Sequence, residues 1–534
     1  MAGTAEVAHT FPTAAFMFPP RHGTLHMWRR LPYVWLPLGL HTAPVVVQQA
    51  PMLDVIITGG RVIDPETKLD AVRHVGIRGG TIVYIGTAMR AARDTVDAKG
   101  QVVAPGFIDL HQHGQQDYAY DYAARDGVTT ALEMELGSYP VAPWYAEREG
   151  KARINYGITV SHPGARRAML DGDSSRAGAL VIGLDGKWAR EPIADARLPE
   201  LDARIQQGLR EGALGVGMGL AYTVAASRNE ALQVFRRAAM AKVPVYVHVR
   251  SGGPKDADGP ASVQEVLADA SATGAPLHIV HVTSIGAAST PFALGLIEGA
   301  RTRGLDVTTE AYPYTAGATY ITAAIFDPGF QDRLGIDYHD LLNPDTGERL
   351  NAETFAQYRK SGGRVIVFMI PDSVPAQTYR RPYVMVASDG GFAMTDGRVT
   401  GHPRSAGTFA RVLGEFVRQQ QVLSLPDAIA RMTLLPAKRV EGADPGMRRK
   451  GRVQIGADAD LTVFDPARVI DRATFENAAQ FSAGITHVLV NGVPVVRNGD
   501  LVPGATPGRA VRGPVSGVGP VPAAPRRRST TLTP

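Results

Sequence analysis

The chain has 534 residues, 44% hydrophobic and 20% charged, which is long enough for one large domain plus a smaller one and ordinary for a soluble globular protein. It contains no cysteine, which excludes disulfides, thiolate metal ligands and a thiol nucleophile, so any metal must be held by histidine and carboxylate. Part of the formal charge of +5 lies in Arg526, Arg527 and Arg528, and no basic patch interleaved with aromatics stands out, so nucleic acid is not an expected partner.

In chain order, Met27-Trp-Arg-Arg30 followed by Leu31 to Leu40 has the basic and apolar regions of a secretory signal. Pro32 and Pro37 interrupt it and no clean A-x-A cleavage site follows. Residues 1–52 therefore read either as an export segment or as an extension without function, leaving the location open between the cytoplasm and the periplasm or exterior. No run reaches the ~18 apolar residues of a spanning helix, so no membrane span is expected. Residues 53–103 alternate apolar and polar positions between glycine turns, the pattern of short antiparallel strands. The same texture returns in Ala459-Asp-Leu-Thr-Val-Phe464 and from His487 onward. Together, 53–103 and 440–512 predict a small β-sandwich built from both chain ends. Residues 104–439 alternate strands and helices, with strand candidates at 105–111, 127–135, 155–161, 212–218, 243–249, 276–282, 305–311 and 383–389. Ser227-Arg-Asn-Glu230 and Ser262-Val-Gln-Glu265 read as capping boxes that start two of the helices. Eight such units predict an α/β fold, a (β/α)8 TIM-like barrel. The stretch 329–382 is too long for a plain crossover and reads as an insertion at the barrel mouth. Residues 513–534, rich in Pro, Gly, Ala and Arg, read as a disordered tail.

Sites on such barrels form at the C-terminal ends of the strands. The first candidate strand ends in His111-Gln-His113, and i, i+2 spacing places both imidazoles on one strand face, where they can grip a divalent metal. An H-x-H pair alone is common by chance; the preceding Pro-Gly-Phe-Ile-Asp makes it the end of an apolar strand. On the second strand, alternation groups Ala131, Glu133 and Glu135 on the barrel-lining face, with Leu132, Met134 and Leu136 towards the helices. Glu135, nearest the mouth, is the candidate ligand; a structural ion pair is the alternative. His248 ends the fifth strand. His281 ends the sixth, and alternation there turns His278 away if His281 points in. Asp389 ends the eighth strand and reads either as a cap or as a general base that takes a proton from the attacking water.

Several strings carry a resemblance: Pro105-Gly-Phe-Ile-Asp-Leu-His-Gln-His113, Glu211-Gly-Ala-Leu-Gly-Val-Gly-Met-Gly-Leu-Ala-Tyr222, Tyr246-Val-His-Val-Arg250, Ser388-Asp-Gly390, His402-Pro-Arg-Ser-Ala-Gly-Thr-Phe409, and Gly456-Ala-Asp-Ala-Asp-Leu461. In this order they resemble the amidohydrolase superfamily, most nearly its D-aminoacylase branch, the N-acyl-D-amino-acid deacylases, over residues 53–512. The resemblance implies a divalent metal cofactor, Zn first, one or two per chain. His111 and His113 with Asp389 would hold one ion and His248 with His281 the other. Asp389 would be the catalytic base. Arg404 would meet the substrate carboxylate, with Tyr222, Arg250 and Tyr312 as pocket residues. The reaction implied is hydrolysis of the linear amide of a small-molecule N-acyl-D-amino acid. The alternatives are another amidohydrolase specificity (dipeptide, cyclic amide or lactone) or a metal-free scaffold. Two departures stand out. The branch's cysteine ligand after strand two is absent, and Glu135 is its replacement, a harder ligand that could admit Co, Mn or Fe as well as Zn. The branch's lysine after the strand-six histidine is here Thr283. The oligomeric state is not legible.

Overall fold

The structure is a computed structural model and describes residues 52–174, 186–255 and 259–515. The signal-like segment around Met27 and the stretch of the tail containing Arg526 to Arg528 lie outside the described residues.

Eight parallel strands form the barrel: β1 (Phe107–Asp109), β2 (Val128–Ser138), β3 (Asn155–Ser161), β4 (Val216–Gly219), β5 (Val245–His248), β6 (Leu277–Ile279), β7 (Val307–Ala311) and β8 (Val384–Val386). Each pairs with its neighbour in chain order. The β8 end returns to β1: the His113 N–H donates to the Gly390 carbonyl at 2.7 Å, and the Ser388 N–H donates to Asp109 Oδ1 at 3.0 Å.

Side-chain alternation sorts each strand between two cores. Val245 and Val247 on β5, and Leu277 and Ile279 on β6, pack outward into a core shared with the helices. The helix Arg228–Ala241 shows why these segments fold as they do. Ala231, Val234, Phe235 and Ala238 recur at helical spacing and are its buried stripe, and the Ser227 hydroxyl accepts the Glu230 N–H at its start. The other expected capping box is not a cap. The helix begins at Gly259, so Ser262 lies inside it; its hydroxyl accepts from the Ser251 N–H, and Glu265 pairs with Arg250.

As expected, both flanking segments build one small β-domain, a mixed network of nine strands around its own core. Its junction is Leu461–Phe464 running antiparallel to Val102–Pro105, which in turn lies parallel to Leu53–Asp64. Val102–Pro105 leads directly into β1, so this sheet fixes the entry of the first ligand-bearing strand. The β7 to β8 crossover carries a four-stranded antiparallel sheet; one of its strands, Gly317–Tyr320, precedes the 329–382 stretch. Among the described residues, no helix is long and apolar enough to cross a membrane.

Candidate metal centre

Leu132 and Met134 cluster with Ile108, Leu110, Tyr246, Val280 and Met385, and Tyr246 and Met385 are register partners of His278 and Glu310. This cluster fills the barrel interior, whereas Ala131 packs with the outer core. The sequence-based face assignment is therefore reversed for Ala131, Leu132 and Met134, although Glu133 and Glu135 do reach the interior as expected. Strict alternation would send Glu133 and Glu135 outward. The register with β3 is regular through Glu133↔Ile158 and then jumps to Ser138↔Val160, so β2 carries extra residues after Glu133, and this bulge re-aims Glu135. Gly137 takes φ +65° inside it.

The expectation for β6 is corrected in the same way. His278 does face the interior, with Nε2 3.1 Å from Glu310 Oε2. His281 nevertheless reaches the cluster, because the strand ends at Ile279 and His281 adopts φ +26°. Asp389 also lies at positive φ, +49°, so two members of the site sit on strained backbone at strand ends.

These turns bring six side chains together as two groups that share Glu135. Glu135 Oε2 lies 3.3 Å from His111 Nε2 and 3.1 Å from His113 Nε2. The two histidine Nε2 atoms are 3.1 Å apart, and Asp389 Oδ1 is 3.4 and 3.2 Å from them. Donors bound to zinc at about 2.0–2.1 Å in a tetrahedron are separated by roughly 3.3–3.4 Å, so these spacings suit one small divalent ion. Glu135 Oε1 faces the second group, 2.6 Å from His248 Nδ1 and 2.9 Å from His281 Nε2.

Second partners orient the rings. His111 Nδ1 is 2.6 Å from Glu310 Oε1, His113 Nδ1 is 2.9 Å from Glu133 Oε2, and His281 Nδ1 is 2.8 Å from the Ser284 hydroxyl. Sequence reasoning missed Glu310 and Ser284 as partners. Neither has a local motif, and Glu310 is 199 residues from His111 in sequence. Burial lowers the His111 and His113 imidazoles, but the surrounding carboxylates, Asp389, Glu135 and Glu310 at His111 and Glu133 at His113, hold both well above the ordinary histidine value. Burial raises Glu135, and the histidines reverse this to leave it well below the usual carboxylate range. Four buried carboxylates thus demand positive charge at this spot, which protonated imidazoles or a divalent ion can supply.

The cluster opens into a cavity of about 380 Å3 lined by Tyr222, Arg250, Tyr312 and Arg404 among others. Arg404 is 3% exposed; its Nη2 is 2.8 Å from Asp389 Oδ2, and its guanidinium lies over the Tyr312 ring at 4.5 Å. Its Nε and Nη1, and the Tyr312 hydroxyl, are buried without hydrogen-bond partners. Arg250 is different. It lines the cavity, but its guanidinium is held by Glu265 at 2.8 Å and by the Ala226 carbonyl, which leaves it supporting the wall rather than reaching a ligand. Thr283 is buried with its hydroxyl unpartnered and is not among the lining residues.

Residues 94–496 match the model of the Amidohydrolase family. N-acyl-D-glutamate deacylase of Alcaligenes xylosoxydans xylosoxydans is 32% identical over 86% of this chain and 96% of its own length. D-aminoacylase of the same organism is 31% identical over 83% and 94%. The crystal structure of N-acyl-D-glutamate deacylase from Bordetella bronchiseptica, complexed with zinc and a phosphonate mimic of the tetrahedral intermediate, superposes with a TM-score of 0.71 at 27% identity, covering 87% of this chain and all of that one. A parallel barrel with a histidine and carboxylate cluster at its strand ends, matched along most of its length by such relatives, places this chain in the amidohydrolase family, as a hydrolase of carbon–nitrogen bonds other than peptide bonds.

Proposed function

We propose that this enzyme deacylates N-acyl-D-amino acids, releasing a carboxylic acid and a free amino acid. The observation that carries the reading is Arg404: a buried guanidinium with Nε and Nη1 unpaired, facing the same cavity as the histidine and carboxylate cluster. A substrate carboxylate can accept a charge-assisted hydrogen bond from either of these unpaired N–H groups, while Nη2 stays on Asp389. The D configuration is carried over from what the relatives' names say of those proteins.

His111, His113, Glu135 and Asp389 would hold one divalent ion, zinc by the tetrahedral spacing. Glu135, His248 and His281 would hold a second. A divalent ion held by these residues would supply Lewis-acid polarisation of the scissile carbonyl and activation of water near neutral pH. Asp389 accepts a proton from the attacking water and returns it to the leaving nitrogen. Burial raises its carboxyl, but Arg404 and His111 outweigh burial and keep it below the usual range, so it is ionised when the proton arrives and gives it up readily. Tyr312 stacks on Arg404 and helps fix its guanidinium. Leu136, Ile285 and Met369 give the cavity apolar wall for the acyl group or side chain.

The zinc-loaded enzyme should release acetate from N-acetyl-D-amino acids and leave their L-enantiomers essentially untouched. It should also fall silent after chelation. Turnover of dipeptides, hydantoins or lactones with no release from any N-acetyl-D-amino acid would refute the assignment.

A further inference from the structure

The N-terminal ends of β5 to β8, the face opposite the cluster, enclose a second cavity of about 630 Å3. Pro244 and Pro276 precede β5 and β6, Asp306 precedes β7, and the helix Leu434–Val440 contributes Lys438 and Arg439. Four cationic side chains, Lys242, Arg301, Lys438 and Arg439, line it against one carboxylate, Asp306.

Arg439 is the informative member. Its side chain is 4% exposed, and Nη1 lies 2.6 Å from Asp306 Oδ1. Asp306 itself is 63% exposed, so that carboxylate stays largely in water. Nε and Nη2 of Arg439 are buried with no well-aligned hydrogen-bond partner among the described residues, beside the buried Tyr246 hydroxyl. Unpaired N–H groups on a buried cation are costly and rare, and call for a partner. Arg301 is already committed to the Val307 carbonyl and to the Tyr383 ring, so it adds charge rather than a free donor. Lys242 is exposed, and Lys438, half exposed, lies 3.3 Å from Glu66. A cavity lined by four cations, one of them an incompletely paired guanidinium, favours a compact multivalent oxyanion over a single carboxylate.

We propose that this cavity binds a phosphate-class anion, independently of the metal cluster and of the acylated substrate. Calorimetric titration of the metal-loaded enzyme with inorganic phosphate, and separately with glycerol phosphate, tests it. Saturable binding is expected, weakened about tenfold in the Lys242→Ala, Lys438→Ala double variant, as the loss of charge-assisted contacts implies. Both lysines are far from the cluster, and the double variant should hydrolyse amides as the wild type does. Arg439→Met should abolish the binding; if that variant does not fold, the lysine pair decides alone. Tighter binding of the ester assigns the cavity to a phosphorylated metabolite, and tighter binding of the free ion assigns it to phosphate itself. Equal phosphate affinity in the wild type and the double variant would put the ion at the metal cluster and overturn the proposal, as would the absence of saturable binding.

Discussion

Glu135 is the residue on which both halves of the cluster depend, because each of its oxygens faces a different group of histidines. A cysteine would offer one donor atom at this position, whereas a carboxylate offers two. Glu135→Gln keeps the shape but removes the charge and replaces one oxygen with an NH2 donor that repels a cation. Elemental analysis of the dialysed variant should show metal lost from both groups, and kcat should fall by more than the roughly 10–100-fold typical of losing an outer partner alone. A variant that keeps the wild-type metal content would refute the ligand assignment. At this scale the sequence was a good guide. His111, His113, Glu135, His248, His281 and Asp389 all reach one cluster, since each stands at a strand end and strand ends converge in a barrel. Arg250 does line the cavity, but its partner Glu265 is on a helix and nothing in the local string points to that contact.

Elements decide which way those residues point, and here local pattern failed. Period-two alternation holds only within a regular strand. It therefore misplaced Ala131, Leu132 and Met134 on β2, where the ladder bulges between Glu133 and Ser138, and misjudged His278, where β6 is short and the chain turns at His281. Neither irregularity has an apolar signature. The one clue in β2 is Gly137, two residues after the carboxylate. At φ +65° it adopts a conformation costly for other residues, and a Cβ there would lie 2.5 Å from the Thr159 carbonyl. Gly137→Ala should therefore destabilise the protein by about 2–4 kcal/mol, from left-handed strain plus overpacking. It should also weaken metal binding by displacing Glu135. Thermal melts with and without zinc read both effects. An unchanged melting temperature together with unchanged zinc stabilisation would show that the bulge is not what aims Glu135.

Across the whole molecule, the repeated strand texture at the two ends was enough to foresee that they share a sheet, but not what locks them together. The lock is polar and non-local. Glu66, in the turn after Leu53–Asp64, lies 2.6 Å from Arg452 Nε, and Arg452 also reaches Glu441 at 2.7 Å. Beside it, Asp64 Oδ1 accepts the Val453 N–H at 3.0 Å. The Glu66–Arg452 and Asp64–Val453 contacts span nearly 400 residues of sequence and hold the sheet that leads into β1, so they bear indirectly on where His111 stands. The hydrogen bond from Arg452 lowers the Glu66 carboxyl from 4.5 to about 2. A carboxylate lowered on folding contributes stability that is present above its unfolded value and is lost as pH falls through the folded one. Glu66 is a third exposed, so water screens the pair and its contribution at neutral pH is about 1 kcal/mol or less. Glu66→Gln should melt slightly below the wild type at neutral pH, and the gap should close as pH falls from 4.5 towards about 2. Paired thermal melts across that window check it; a gap that stays constant or widens on acidification would show that Glu66 does not act through its charge.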